Sequence, residues 1–294
     1  MKILLTGASG FIGRELAPLL MAAGHELTIL AREGGREVPS DVERLAAPVG
    51  EWVSAVGSRS YDVCIHLAWI ATPGVYLHSE ENEIFADVTL ALAEVLFRNG
   101  LRYFVGTGTC IEYSPDQSEI CVEDVTPTEP IHPYSLAKDR TRRGLEQLSV
   151  DAEAEFTWAR VFYPYGPGEH PARTISSFLR ELRSHRTVTL RNPGSVKDFI
   201  HVRDVATAFL KVAEGSAPRG VVNIGTGRGI SIREIALRAA AATGADASLI
   251  TAVGDPPYDP YGWHVADIRK LSATGWRPEI DIDTGIRQIL EVLR

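Results

Sequence analysis

Two kinds of apolar pattern alternate along the chain. Short unbroken runs occur at Ile3-Leu4-Leu5, Leu27–Ala31, Tyr61–Ala68, Leu101–Val105, Phe156–Val161 and Val221–Ile224. Runs of this length without polar alternation predict strands buried on both faces, as in a parallel sheet. Between them, apolar residues recur every three to four positions. Phe11, Ile12, Leu16 and Leu19 predict a first helix, and Ile84, Val88, Leu92, Val95 and Leu96 predict one over 80–99 that Asn99-Gly100 ends. A third opens at Tyr134 and runs through Leu145 and Leu148. Residues 40–60 show only a short helix around Trp52, Val53 and Val56, and 114–133 read as a surface loop rich in Pro, Asp, Glu and Ser. After residue 164 the alternation loosens. It predicts a helix at Ile175–Leu182, a strand at Val188–Leu190, an extended stretch at Phe199–Val202 and a helix from Asp204 through Val212. A further helix is capped by Ser231 with Glu234 three residues on, and a closing one spans Ile286–Leu293.

The first strand runs into Gly7-Ala8-Ser9-Gly10-Phe11-Ile12-Gly13 before the first helix. Between a strand and a helix, this glycine spacing fits a dinucleotide loop. Gly7 permits a tight turn, Gly10 lets the backbone approach a pyrophosphate, and Gly13 lets the helix lie close to the strand. Ser9, Phe11 and Ile12 complete the loop, whose free N–H groups favour an anion. The expected fold is α/β. A Rossmann-type doubly wound parallel sheet takes residues 1–164 plus about 199–224, and a smaller α/β substrate domain takes 165–198 plus 225–294. Arg32 ends the second strand, followed by a loop marked by Gly34, Gly35 and Pro39. An acidic residue at this point binds the ribose of NAD, whereas an Arg holds the 2′-phosphate of NADP. Arg32 reads either this way or as a solvated loop residue, and the expected cofactor is NADP(H) in preference to NAD(H). Leu67, Ala68 and Trp69 leave the sheet on the same edge and are expected near the cofactor. His66, inside an apolar run, is expected to be structural.

Composition narrows the function. A net charge of −8 without long like-charge runs argues against nucleic acid or an anionic membrane as partner. Cys64, Cys110 and Cys121 have no metal-ligand spacing, so neither a metal nor a disulfide framework is expected. The opening residues do not read as a secretory signal, and the expected location is cytoplasmic.

Tyr134 and Lys138 are one helical turn apart and share a face. An ammonium beside a phenol favours the phenolate, and a shift of roughly three units from about 10 corresponds to about 4 kcal/mol. The phenol can then exchange a proton with a substrate oxygen. The glycine loop, Tyr134-x-x-x-Lys138 and a hydroxyl residue on the preceding strand end together resemble the extended short-chain dehydrogenase/reductases, which include NAD(P)-dependent nucleotide-sugar epimerases, dehydratases and reductases. Ile65-His66-Leu67-Ala68, Arg160 with Tyr165-Gly166-Pro167-Gly168, Asp198–Val202, Asn223-Ile224-Gly225 and Gly275-Trp276-Arg277-Pro278 extend the likeness along the chain.

The resemblance implies Thr109, Tyr134 and Lys138 as catalytic residues. Thr109 is selected over Thr107 because Tyr113 follows it by four. It further implies that Lys138 holds the nicotinamide ribose and that Tyr163 stands at a cofactor position where many members have Asn. Dehydratases of the family carry Asp-Glu directly after this Thr, where this chain has Cys110 and Ile111. Thr-Cys-Ile-Glu-Tyr at 109–113 is similar to reductases of nucleotide-linked 4-keto-6-deoxy sugars, with Tyr134 as general acid. The alternatives are an epimerase that retains NAD, a reductase of a non-nucleotide ketone, and a non-catalytic cofactor sensor. The small-molecule substrate is expected to be a nucleotide sugar. Its candidate contacts are Trp69, Cys110 (a base or a packed thiol), Arg173, Arg191, and Lys197 in place of a diphosphate-gripping Arg. Tyr258, Tyr261 and Trp263 are candidates to stack on a base or sugar. A homodimer through helices near 80–98 and 134–149 is implied by resemblance.

Overall fold

The apolar runs become strands whose successive side chains enter two different cores. A computed structural model describes residues 1–33, 42–215 and 219–293; Gly34, Gly35 and Pro39 lie outside these. The first half contains β1 (Lys2–Thr6), α1 (Gly13–Ala22), β2 (Glu26–Ala31), β3 (Glu43–Ala46), α2 (Trp52–Val56), β4 (Val63–His66), α3 (Glu81–Arg98), β5 (Tyr103–Thr109), α4 (Pro133–Asp151) and β6 (Glu155–Val161). The second contains β7 (Tyr163–Tyr165), α5 (Thr174–Arg183), β8 (Val188–Leu190), β9 (Val196–Lys197), β10 (Phe199–His201), α6 (Val202–Ala213) and β11 (Gly220–Ile224). It ends with β12 (Ile230–Ser231), α7 (Ile232–Thr243), β13 (Ile250–Ala252), β14 (Trp263–His264), α8 (Arg269–Ser272) and α9 (Ile282–Val292).

Seven strands form one parallel sheet in the order β11-β6-β5-β4-β1-β2-β3. The order reverses between β1 and β4, which opens a crevice outside their carboxyl ends, the usual place for a ligand in an open α/β sheet. Ile3, Leu5, Ile29, Ile65 and Val105 pack on one face against Leu16, Leu20, Val205 and Phe209. Leu4, Leu30, Cys64, Phe104 and Trp158 pack on the other against Trp52, Leu92, Leu96 and Leu145. Burial on both faces is why these strands read as continuous apolar runs. The expected α/β doubly wound sheet is therefore present. A third cluster joins Tyr165 to α5, β8, α7 and α9, while Leu271 and Trp276 return to the first.

Some elements lack an apolar signal. β3 is an exposed edge strand, so its sequence Glu43–Ala46 carries little hydrophobic pattern. Tyr163–Tyr165, where no strand was expected, forms β7, paired in parallel with β10. α9 begins at Ile282, ahead of the expected Ile286, because the Asp281 carboxylate caps it by accepting the Thr284 N–H at 2.8 Å. Ser231 does cap α7, its hydroxyl accepting the Glu234 N–H at 3.1 Å.

Candidate active site

The crevice is a cleft of about 710 Å³ whose walls include the loop 7–13, Arg32, residues 67–72, Thr107–Ile111, Tyr134, Lys138, Tyr163 and Arg173. That size suits a small-molecule site.

The glycine loop shows why three glycines are needed. Gly7 has φ +73°, and a Cβ there lies 2.7 Å from the Ala68 nitrogen, in the backbone leaving β4. A Cβ on Gly13 lies 2.2 Å from the Gly7 oxygen, so α1 can approach β1 only without a side chain. Gly10 closes the turn, donating its N–H to the Gly7 carbonyl at 2.9 Å. The same turn brings Ser9, Phe11 and Ile12 to the cleft wall at the start of α1. Arg14 ties α1 to the loop after β7 by donating to the Gly168 carbonyl at 2.9 Å. Leu67 and Ala68 form the facing wall, and the Ala68 N–H donates to the Thr6 hydroxyl at 3.2 Å. These residues fit a dinucleotide with its phosphates on the opening turn of α1. Arg32 is exposed at the carboxyl end of β2, and its carbonyl accepts from Arg44 at 3.4 Å.

Thr109, Tyr134 and Lys138 line the same cleft. Thr109 caps the short turn Cys110–Glu112 through a capping box: its side chain accepts the Glu112 N–H, and the Glu112 carboxylate accepts the Thr109 N–H at 2.8 Å. The Thr109 hydroxyl neighbours Tyr134 and favours its phenolate. Thr107 is structural, donating to the His66 carbonyl at 2.9 Å. His66 is enclosed between the hydroxyls of Thr6 (3.0 Å) and Thr89 (2.9 Å), and burial pushes its pKa down to about 3. It is structural, as its apolar setting predicts.

One electrostatic expectation is corrected. Tyr134 is held above, not below, the ordinary phenol value. Burial is the largest cause, Tyr76 and Glu112 add to it, and Thr109 and Arg173 oppose it. The Lys138 ammonium points elsewhere: it donates to the Thr107 carbonyl at 2.8 Å, lies over the Trp69 ring at 3.7 Å, and is 5.9 Å from the Tyr134 ring.

Burial lowers Lys138 to about 7, with the Glu112 carboxylate opposing. In the folded chain Lys138 gives up its proton near pH 7, whereas in the unfolded chain it does so near 10.5. Its cost to folding is therefore complete below pH 7 and fades as pH rises toward 10.5. Lys138→Met should melt above the wild type at pH 6, by several degrees, with the gap closing by pH 10. Equal melting temperatures at pH 6, measured without added dinucleotide, would refute this.

The basic candidates separate. Arg173, half-buried at the start of α5, lines the cleft. Lys197 does not; it is paired with Asp259 at 3.0 Å and bonded to the Tyr261 carbonyl. Arg191 is exposed and outside the lining residues. Cys110 lies against Tyr163, and burial raises its thiol far above the ordinary value, which suits a packed thiol. Tyr261 packs with Cys110, Tyr113 and Phe162, whereas Tyr258 is exposed and bonded to Asp116.

Pattern reading missed three groups that organise this wall. Tyr76 meets Tyr134 edge-on, with ring centroids 4.8 Å apart. Asn82 is buried at the start of α3. Glu112, wholly buried, pairs with Arg160 at 2.9 Å. For Glu112 alone a signal existed, since Thr109-x-x-Glu112 is a capping-box spacing.

The profile of the NAD dependent epimerase/dehydratase family matches residues 3–225. The UDP-glucose 4-epimerase of Corynebacterium glutamicum is 26% identical, with 99% of this chain and 94% of that protein covered. That of Mycolicibacterium smegmatis is also 26% identical, covering 100% and 99%. Among solved structures, Thermus thermophilus UDP-glucose 4-epimerase in complex with NAD superposes with a TM-score of 0.85 at 26% identity, covering 100% of this chain and 99% of that one. MoeE5 in complex with UDP-glucose and NAD does so with a TM-score of 0.83 at 25% identity, covering 99% and 98%. With the doubly wound sheet, the glycine loop and this profile in agreement, the chain belongs to the NAD dependent epimerase/dehydratase family.

Proposed function

We propose that the chain is an NAD-dependent nucleotide-sugar 4-epimerase. The carrying observation is the convergence of Thr109, Tyr134 and Lys138 on the cleft that the glycine loop lines. When bound, NAD supplies the acceptor for hydride from the sugar carbon and returns that hydride. Tyr134 exchanges the proton of the attached hydroxyl, and Thr109 donates a hydrogen bond to the same oxygen. Lys138 is the proposed holder of the nicotinamide ribose. Cys110 and Ile111 provide no acid or base where a dehydratase has Asp-Glu, which argues against loss of water. Arg173 is the proposed contact for an anionic group of the substrate, in preference to Arg191 and Lys197.

The three UDP-glucose 4-epimerases, and the two relatives solved with NAD, support epimerisation with NAD over the reductase and the NADP preference expected from the sequence. Arg32, with Arg44 beside it, is the observation that keeps a second reading, an NADPH-dependent reductase of a nucleotide-linked 4-keto sugar. A homodimer through α3 and α4 is also proposed, as these helices pack together and expose Ile84 and Leu136. Incubation with UDP-glucose, UDP-galactose and UDP-arabinose, with catalytic NAD only, should interconvert 4-epimers without net NADH. Stoichiometric NADPH oxidation on a 4-keto-6-deoxy sugar, with no epimerisation, would reverse the order of the two readings.

A further inference from the structure

The segment joining β4 to α3 sends two aromatic rings onto α4. The indole of Trp69 covers the Lys138 ammonium at 3.7 Å from its centroid. Tyr76 meets Tyr134 edge-on, 4.8 Å between centroids and 89° between planes. Both ring-bearing residues are fastened to one buried amide. Asn82 accepts the Trp69 indole N–H at 2.9 Å and donates to the Tyr76 carbonyl at 2.7 Å and the Ser79 carbonyl at 2.8 Å. All three hydrogen bonds of that wholly buried side chain are thus made to the segment.

We propose that Asn82, Trp69 and Tyr76 form a positioning clamp: the amide holds one ring over the ammonium of Lys138 and the other against the phenol of Tyr134. The inference rests on the roles proposed above, proton exchange at Tyr134 and the nicotinamide ribose at Lys138. An aromatic face attracts a cation most strongly when the cation is out of water, as here. Lys138 also faces the Thr107 carbonyl on β5, the Glu112 carboxylate in the turn after it, His66 on β4, the Trp158 ring on β6 at 5.8 Å and the Tyr134 ring on its own helix. Glu112 and the Thr107 carbonyl stay in place when Trp69 is changed, so a substitution there isolates the ring.

Trp69→Phe keeps an aromatic face and loses the N–H to Asn82, whereas Trp69→Leu keeps apolar bulk and loses the face. The clamp predicts kcat within about threefold of wild type for Phe and a loss of about tenfold for Leu, with the alkaline limb of the Leu profile about one pH unit lower because the ammonium has lost a partner. Asn82→Leu, which frees the Tyr76 and Ser79 carbonyls as well as the indole N–H, should lower kcat more than Trp69→Phe, which frees the indole bond alone; if it does not fold, the Trp69 pair decides. A second readout needs no turnover. Tryptophan emission titrated from acid to alkali should change with a midpoint near 7, as Lys138 loses its proton beneath the indole, and the change should vanish in Trp69→Phe and in Lys138→Met. That titration, together with no turnover of any nucleotide sugar, would support the clamp while sinking the epimerase. A Trp69→Leu enzyme with wild-type kcat and profile, a Phe variant as impaired as Leu, or a titration that survives in Lys138→Met would overturn the clamp.

Discussion

Tyr134→Phe is expected to lower kcat by about 10²–10⁴-fold, the usual contribution of a positioned proton donor, while NAD binds as before. The substitution removes one oxygen. The ring remains, with its edge contact to Tyr76, so the wall of the cleft keeps its shape. The glycine loop joins β1 to α1, elements other than the α4 that carries Tyr134. Thr109, whose hydroxyl favours the phenolate, is positioned independently by the Glu112 capping box. Burial holds the phenol protonated in the chain alone; to take the sugar hydroxyl's proton it must first lose its own, which the positive charge of a bound oxidised nicotinamide would favour. Turnover measured by conversion of UDP-galactose and affinity by quenching of protein fluorescence with NAD separate the two effects. A Phe variant with wild-type kcat would remove Tyr134 from the chemistry. Equal losses of turnover and NAD affinity would make it a structural residue.

What could be read in advance follows the range of the interaction. The parallel sheet was legible because Ile3-Leu4-Leu5 and its counterparts are buried on both faces and so carry no alternation. The glycine loop was legible because its three glycines lie within seven residues. Tyr134 and Lys138 were legible because a helix places residues four apart on one face. The pairing of Lys197 with Asp259 was not legible because the two are 62 residues apart in the chain, in a region where β9 pairs with β14. The direction of the Tyr134 shift failed for a related reason: burial and the orientation of Lys138 toward Trp69 and Thr107 are tertiary facts. β3 and β14 were missed because strands on an exposed edge or of two residues need no apolar pattern.

Glu112→Leu should be the most destabilising single change in this wall. The Glu112 carboxylate is wholly buried; it accepts from the Trp158 indole at 2.9 and 3.0 Å, from Arg160 at 2.9 Å and from the Thr109 N–H at 2.8 Å. Removing it strands the Arg160 guanidinium, itself 2% exposed, with Tyr113 as its remaining neighbour at 4.4 Å from the ring. Breaking one side of a buried pair costs about 3–5 kcal/mol, whereas replacing both partners by apolar residues is often near neutral. The melting temperature should therefore fall by about 10 °C in Glu112→Leu and recover most of that loss in Glu112→Leu/Arg160→Met. A single variant that melts within two degrees of wild type would show that the pair contributes nothing net. Turnover should not recover in parallel, because the double variant restores the charge balance but not the acceptor that fixes the Thr109 backbone. Stability regained with kcat still depressed separates what Glu112 does for the fold from what it does for Thr109; kcat and melting temperature recovering together would leave Glu112 a purely structural charge.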